Sequence, residues 1–513
     1  MTKRAIGIAS IIYGVTILAS RLIGLIREAV IGRVLGAGSE ADVYWTAFII
    51  PDFLNYLLAG GILSIAFIPI FQQKLVESEE AATRLFNHLF NCLALLVTGL
   101  TVILWLYVPK LTPLIAPGMS SEALDLLNHL VRIILPAQIF HLCGALLSAT
   151  LQARDKHFFP ALAPVIYTLC IVIGGLTMGD SMGAEGFAWG VLVGSILGPM
   201  MCPLIGAFQL GLTYKLRINL RDPDLKRYLL ISLPIMLGVS VVVLDDMIVK
   251  RFASLLPGTG SISQLQYART LMKVPMGVFG MAAGMAAFPT LSRLFAQHNR
   301  LAAFDTLAQS IRMTLLLAFA AQAALSCVGT EIATVIWGAS RFSHEMLSQI
   351  GLLTATYSIG LWAWSVQGLL ARGYYAQGNT WAPTIIGSLL MIFWLPIYHL
   401  CSDNALNLSL ASSGVICVYV FVLAWHLFRS QPSENGGAMG LWSTLPALLF
   451  STCVSIYLTH SLRAYLSLDW HVLLSGALYG CIAILIMLGG CRLLGNKELI
   501  VLSALVRRKF GRA

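Results

Sequence analysis

Long apolar runs separated by short polar turns form the main pattern of this chain. Each run is about 20 residues or longer, the length that a helix needs to cross the hydrocarbon core of a bilayer. The chain contains about fourteen such runs. Their predicted limits are 6–34, 41–73, 85–115, 124–152, 159–178, 185–213, 227–255, 264–295, 302–328, 345–372, 381–400, 407–428, 440–460 and 472–494. The pattern predicts an all-α polytopic membrane protein.

The charges between the runs differ from one side of the predicted membrane to the other. Every second connection is basic, as at Lys74 and Arg84. The remaining connections are rich in glycine, serine and acidic residues, with Arg341 and Arg463 as their chief basic residues. Basic loops face the cytoplasm in multi-pass proteins. We therefore expect both termini, including a basic tail at 497–513, to be cytoplasmic.

Composition supports the membrane class and excludes others. Of the 513 residues, 58% are hydrophobic and only 11% are charged, whereas soluble domains carry roughly 25% charged residues. The net charge of +10 does not indicate a nucleic-acid partner, because the basic clusters are short and no basic domain with interleaved aromatic residues is present. The ten cysteines and ten histidines are scattered without metal-ligand spacing, so we expect no metal site.

An internal repeat divides the chain. The segment 26–48 and the segment 244–268 each end an apolar helix with a charged cluster and a glycine-rich turn. Pro69 and Pro289 then occupy equivalent places, at an offset of about 220 residues. This favours two six-helix lobes related as parallel repeats, an arrangement typical of transporters that rock two halves for alternating access. The predicted divisions are an N-terminal lobe at 1–220, a C-terminal lobe at 221–432, two extra C-terminal helices at 433–496 and the tail at 497–513.

Both lobes begin with helices that carry charges at membrane depth. Such a charge costs at least about 2.5–3.5 kcal/mol at the bilayer centre, so it normally faces a protein-lined pathway. We expect the leading helices to form a cationic cavity suited to phosphate, which arginine binds in bidentate fashion. The candidate residues are Arg21, Arg27, Glu28, Asp42, Asp52, Asp245, Asp246, Arg269 and Lys273.

Some of these charges have a second interpretation. Arg33, Lys250 and Arg251 precede glycine-rich turns, so they are also explained as solvated helix ends. Asp245 and Asp246 are either counter-ions to cavity arginines or a site for a coupling cation. The pattern alone does not choose between these roles.

Four segments together resemble a known family. These segments, 20–48, 50–71, 153–164 and 267–292, are similar to the MurJ/MviN lipid II flippase family of the MOP exporter superfamily. The resemblance covers nearly the full length. It implies a transporter, not an enzyme, that moves undecaprenyl-diphosphate-linked peptidoglycan precursor (lipid II) from the inner to the outer leaflet of the bacterial inner membrane.

The resemblance also implies roles for residues and partners. It assigns Arg21, Arg27, Asp42 and Arg269 to the substrate cavity, and the last two spans to a groove for the lipid tail. The expected partners are lipid II, membrane lipids and the cell-wall synthesis machinery. No cofactor is expected, since membrane potential or a cation gradient supplies the bias, and no nucleotide-binding loop is present.

One stretch departs from the family pattern. Asn55, Tyr56 and Gly60 stand where well-known members carry two arginines and a glutamate. Ala268 and Lys273 stand where acidic residues are common, which makes Lys273 a further candidate ligand. A flippase for another polyprenyl-linked oligosaccharide and, less favoured, a drug/cation antiporter of the same superfamily or a non-transporting scaffold remain alternatives. Short loops argue against a membrane glycosyltransferase.

Overall fold

In the part of the chain that the structure describes, nine long apolar helices correspond to predicted spans. The computed structural model describes residues 23–59, 67–219, 221–237, 241–338, 341–379, 381–429, 437–466, 471–496 and 498–500. Within these residues, the helices long and apolar enough to cross a membrane are Glu79–Ile115, Ser121–Gln152, Phe158–Met182, Ala184–Gln209, Arg300–Trp337, Trp381–Leu400, Ala405–Phe428, Thr444–Leu466 and Val472–Leu493. They confirm the third to sixth, the ninth and the eleventh to fourteenth predicted spans. The total of fourteen stays a prediction.

The chain forms two compact units, residues 1–263 and 264–513. The helices of the first unit are α1 (23–35), α2 (Ser39–Thr46), α3 (Ile49–Ala59), α4 (Ile68–Glu77), α5 (Glu79–Ile115), α6 (Ser121–Ile134), α7 (Ala137–Gln152), α8 (Phe158–Met182), α9 (Ala184–Ser195), α10 (Cys202–Gln209), α11 (Pro223–Leu237) and α12 (Val241–Ala253). A π-helical segment, Ile196–Met201, joins α9 to α10.

The helix α13 (Ser261–Met276) begins at the boundary between the units. After it come the π-helical segment Gly277–Met281 and α14 (Ala282–Ala296), α15 (Arg300–Trp337), α16 (His344–Ser358), α17 (Leu361–Ala376), α18 (Trp381–Leu400), α19 (Ala405–Phe428), α20 (Gly437–Leu466) and α21 (Val472–Leu493). The predicted division into lobes, extra helices and tail stays a prediction.

A stripe of glycines brings α8 and α9 together in the first unit. The stripe repeats every four residues at Gly186, Gly190, Gly194 and Gly198. A Cβ atom on Gly190 would lie 2.7 Å from the Cys170 carbonyl oxygen, and one on Gly194 would lie 2.8 Å from the Tyr167 carbonyl oxygen. Membrane helices approach this closely where small residues recur at such spacing. The stripe therefore allows the close packing of α8 against α9.

The substitution Gly190→Ala is expected to lower the free energy of unfolding by about 1–3 kcal/mol, because the added methyl group meets backbone that has no room to move. The matched control is Gly99→Ala, since a Cβ atom on Gly99 meets nothing within 4 Å and alanine is the better helix former. Thermal unfolding in detergent measures both variants. Equal melting temperatures for Gly190→Ala and Gly99→Ala would contradict the proposed close packing.

The second unit is built around α15, which packs against α14, α16, α17, α20 and α21. The helix is interrupted at Val328, whose φ of −124° and ψ of 17° are not helical. Arg463 donates a hydrogen bond of 3.3 Å to the carbonyl oxygen of Cys327, beside this interruption, and pairs with the buried Glu331. Arg463 thus lies inside α20 and joins α20 to α15, although the charge pattern suggested a loop residue.

The run predicted over 345–372 is divided in the structure. The helix α16 ends at Ser358 and α17 begins at Leu361. Between them, Gly360 lies so close to α19 that a Cβ atom would be 3.1 Å from the Cα atom of Ser413. Close packing against a neighbouring helix explains the break. Helices interrupted in this way are tolerated in membranes where protein covers the backbone.

Candidate functional site

Arg27 and Glu28 form an ion pair on α1 in the first unit. The Arg27 Nη2 atom lies 2.5 Å from Glu28 Oε1, and the side chains are 30% and 5% exposed, respectively. Tyr44 and Tyr167 are within electrostatic range of the Arg27 guanidinium. The predicted cavity arginine therefore has a carboxylate beside it, and aromatic hydroxyl groups lie nearby.

The departure from the family pattern lies on α3. Asp52 is exposed and interacts electrostatically with Tyr167, while Asn55 and Tyr56 are half-buried on the same helix. Tyr167 also interacts with Arg27, so it is within electrostatic range of charged groups on both α1 and α3. Gly60, which belongs to the same departure, lies outside the described residues. Arg21, a predicted cavity residue, also lies outside them.

Asp42 is buried on α2 and holds the beginning of α13. Its Oδ2 atom accepts a hydrogen bond of 2.7 Å from the backbone amide of Gly260, and its Oδ1 atom accepts one of 2.7 Å from the amide of Ser263. The first amides of a helix have no partner inside the helix, and the helix dipole favours negative charge there. The Asp42 carboxylate therefore supplies the cap of α13. Its predicted contact with substrate stays a prediction.

Glu40, a second acidic residue of α2, caps the beginning of another helix. The Glu40 Oε1 atom accepts a hydrogen bond of 2.7 Å from the amide of Ala184, the first residue of α9. The short helix α2 thus places two carboxylates at the amino ends of two longer helices. Glycine-rich turns leave those helix ends open, which explains why acids come from elsewhere in the chain.

Lys250 and Asp246 pair on α12. Their Nζ and Oδ2 atoms are 2.7 Å apart, and the Lys250 side chain is only 8% exposed. Lys250 is therefore not a solvated helix end, whereas Arg33 and Arg251 are exposed. Asp246 is thus a counter-ion to a lysine of its own helix, and its predicted role opposite a cavity arginine or in a coupling-cation site stays a prediction. Asp245 is fully buried on the same helix.

Arg269 is buried on α13, within the second unit. Its Nη2 atom donates a hydrogen bond of 2.9 Å to Ser412 Oγ on α19, and its guanidinium carbon lies 5.1 Å from the ring centroid of Tyr357 on α16. Three helices thus meet at one membrane-depth cation. Lys273, one helical turn further along α13, is half-buried. The geometry gives the guanidinium a hydroxyl group and an aromatic face, both typical of sites that orient arginine for anions.

The structure groups the predicted residues by unit. Arg27, Glu28, Asp42, Asp52, Asp245 and Asp246 belong to the first unit, and Arg269 and Lys273 belong to the second. The shared cavity expected from the sequence stays a prediction. Sequence reasoning missed Tyr357 and Ser412, because uncharged residues in apolar helices carry no signal of their own. In the described part of the chain, no three His, Cys, Asp or Glu residues gather at a metal site.

Comparison with a family model shows the family of this chain. The model described as "Lipid II flippase MurJ" matches residues 31–475. The chain belongs to the MurJ lipid II flippase family. Its relatives include a probable lipid II flippase MurJ of Rhizobium tropici, 28% identical over 90% of this chain and 87% of that protein. The lipid II flippase MurJ of Burkholderia cenocepacia is 29% identical over 74% of this chain and 75% of its own length.

Solved structures support the fold. A lipid II flippase MurJ in an inward closed conformation matches with a TM-score of 0.75 at 22% identity, over 93% of this chain and 98% of that chain. An inward-facing MATE multidrug transporter of the MOP superfamily matches with a TM-score of 0.65 at 15% identity, over 80% and 96%. At these identities the structures show the fold alone. Together with the long apolar helices, the family places this chain among multi-pass inner membrane proteins.

Proposed function

We propose that this protein moves lipid II from the inner to the outer leaflet of the cytoplasmic membrane by alternating access. The observation that carries the proposal is the match to the flippase family over residues 31–475. The buried cation Arg269 and the paired cation Arg27 agree with it, because charged residues inside membrane-spanning segments are rare and typically mark the path of a polar substrate or ion.

The substrate head group determines which residues act. A diphosphate group that leaves water loses its hydrogen bonds to water. Arginine replaces those bonds with charge-assisted hydrogen bonds in bidentate geometry. We assign this work to Arg21, Arg27, Arg269 and Lys273, while Asp42 caps the beginning of α13. The head group then crosses with the rocking of the two lobes, and each cycle releases it to the opposite leaflet.

The lipid tail stays outside the polar path. Helices α20 and α21 pack on each other and on α15. Apolar side chains cover their outer faces, among them Phe450, Tyr457, Leu474 and Leu485, all more than half exposed. Such faces suit a prenyl chain in the bilayer. The Arg463–Glu331 pair fixes α20 against α15, which keeps this surface in place during transport.

The energy for transport comes from the membrane rather than from a bound cofactor. Moving one charge across 100 mV supplies about 2.3 kcal/mol. The basic connections favour cytoplasmic termini, so the substrate enters from the side on which it is synthesised. Assembly with the cell-wall synthesis machinery is part of the same proposal.

The substrate distinguishes this proposal from its alternatives. Asn55 and Tyr56 stand in place of two arginines of the family pattern. Another polyprenyl-linked oligosaccharide is therefore the second candidate substrate. We expect purified protein to be stabilised against heat by lipid II and not by an organic cation. A larger rise in melting temperature with a different polyprenyl-diphosphate glycan would favour the second candidate. A rise with the organic cation alone would contradict the flippase proposal.

A further inference from the structure

A polar cleft of about 600 Å³ lies in the first unit, and none of the predicted transport residues lines it. It is formed by the end of α4, the first turns of α5, the beginning of α11 and the segment 212–219 that precedes α11. Its charged lining is Lys74, Glu77, Arg84, Arg217, Asp222 and Asp224. The volume is within the range of small-molecule sites. The loop charges predict that this end of the unit faces the cytoplasm.

The segment 212–219 is held in an extended form by two buried amides on α5. Asn87 donates to the carbonyl oxygen of Thr213 at 2.8 Å and accepts from the amide of Lys215 at 3.1 Å. Asn91 donates to the carbonyl oxygens of Lys215 and Arg217 at 3.0 and 3.2 Å. These bonds engage every second residue, as an extended backbone requires. They position Arg217 at the cleft.

The carboxylates of the lining are already engaged. Lys74 Nζ lies 3.1 Å from Glu77 Oε1 and 3.5 Å from Asp224 Oδ2. Lys74 follows the second predicted span, and its hydrogen bond to Glu77 raises the pKa of the ammonium group. Asp222 Oδ1 accepts the amides of Asp224 and Leu225 at 2.8 and 3.3 Å, as the cap of α11. Glu77 and Asp224 thus interact with a lysine, and Asp222 accepts hydrogen bonds from backbone amides.

Two of the three basic side chains that line the cleft form no salt bridge within the described part of the chain. Among the described residues, neither Arg84 nor Arg217 is in an ion pair. Both side chains are exposed to the cleft region. Two arginines that line one cleft favour a ligand that carries phosphate, because each can bind it in bidentate fashion.

Apolar side chains alternate with the basic ones along the same segment. Tyr214, Leu216 and Ile218 are 57%, 75% and 50% exposed, respectively. Leu216 and Ile218 line the cleft together with Arg217. Apolar residues beside basic residues at a membrane boundary are typical of surfaces that enter the headgroup region. The ligand therefore carries an apolar part as well as a phosphate.

We propose that this cleft binds the phosphate group of an anionic lipid of the cytoplasmic leaflet. Arg84 and Arg217 hold the phosphate, and Leu216 and Ile218 lie against the acyl chains. The negative surface potential of that leaflet concentrates such lipids at the cleft. The bound lipid joins α4, α5 and the segment before α11, and so stabilises the folded first unit by mass action. None of the residues assigned to the substrate lines this cleft, so the proposal does not depend on the proposed substrate.

The test compares lipids on the purified full-length protein in detergent. The melting temperature is measured against the concentration of phosphatidylglycerol, phosphatidylcholine or inorganic pyrophosphate. The cleft variant is Arg84→Gln with Arg217→Gln. The matched control is Arg221→Gln with Lys226→Gln, which removes the same charge from exposed residues nearby that do not line the cleft. The single variant Arg217→Gln serves if the cleft double variant does not fold.

We expect phosphatidylglycerol to stabilise the wild type, and its apparent affinity to fall about tenfold in the cleft variant and less than about twofold in the control. Equal losses in both double variants would mean unspecific surface attraction and would overturn the proposal, as would unchanged affinity in the cleft variant. Stabilisation by phosphatidylcholine equal to that by phosphatidylglycerol would overturn the selectivity for anionic lipid. Pyrophosphate acting as strongly as phosphatidylglycerol would overturn the lipid assignment in favour of free phosphate.

Discussion

Arg269→Ala is expected to reduce outer-leaflet exposure of lipid II at least tenfold at unchanged protein level. The guanidinium is buried between α13, α16 and α19, where it donates to Ser412 and lies over Tyr357. Loss of a charged hydrogen-bond partner costs about 1.5–3 kcal/mol, and about 1.4 kcal/mol corresponds to a factor of ten in rate. Removing a buried charge also removes its desolvation cost, so we expect the melting temperature to change little.

Two variants separate the charge of Arg269 from its geometry. Arg269→Lys keeps the charge but loses the planar fork, and we expect intermediate transport. Ser412→Ala removes one partner of the guanidinium without changing charge, and we expect a smaller loss than for Arg269→Ala. Wild-type exposure of lipid II with Arg269→Ala, at normal protein level, would exclude Arg269 from substrate handling.

Asp42→Ala is expected to destabilise the protein by about 2–5 kcal/mol. Both carboxylate oxygens accept backbone amides, from Gly260 and from Ser263, and the group is 7% exposed. Hydrogen bonds to a charged group contribute about 1.5–3 kcal/mol each, and amides left buried without a partner add to the cost. The beginning of α13 also loses a negative charge that complements the helix dipole.

The measurement for Asp42 is thermal unfolding in detergent. Asp42→Asn retains one acceptor oxygen, and we expect a smaller fall in melting temperature than for Asp42→Ala. The control Asp125→Ala removes an exposed aspartate of α6 and should leave the melting temperature unchanged. A melting temperature for Asp42→Ala equal to that of Asp125→Ala would show that the cap contributes nothing to stability.

The membrane class could be predicted from sequence because uniform apolar runs have one stable solution in a bilayer. The run 159–178 carries no charge and the run 472–494 carries only Arg492, in its last turn, and helices occupy both. The break between α16 and α17 could not be predicted in the same way. It depends on the approach of Gly360 to Ser413, which is a contact between distant parts of the chain.

Charged candidates could be identified from sequence, but their partners could not. Asp42 is conspicuous in an apolar run, yet the amides that it binds lie 218 and 221 residues further along. Lys250 was open to interpretation as a solvated helix end, and its burial beside Asp246 is a result of packing. The pattern of a single sequence shows where a charge is costly in the membrane. Only the folded structure shows which group compensates that charge.

The most direct test of the proposed function is the exposure of lipid II itself. In cells depleted of their own lipid II flippase, the fraction of lipid II accessible from the periplasmic side is measured with and without this chain. We predict that the wild type restores exposure to the level of undepleted cells, while an empty vector does not. Exposure that stays at the empty-vector level, with the chain present in the membrane at normal amount, would contradict the assignment of this protein as a lipid II flippase.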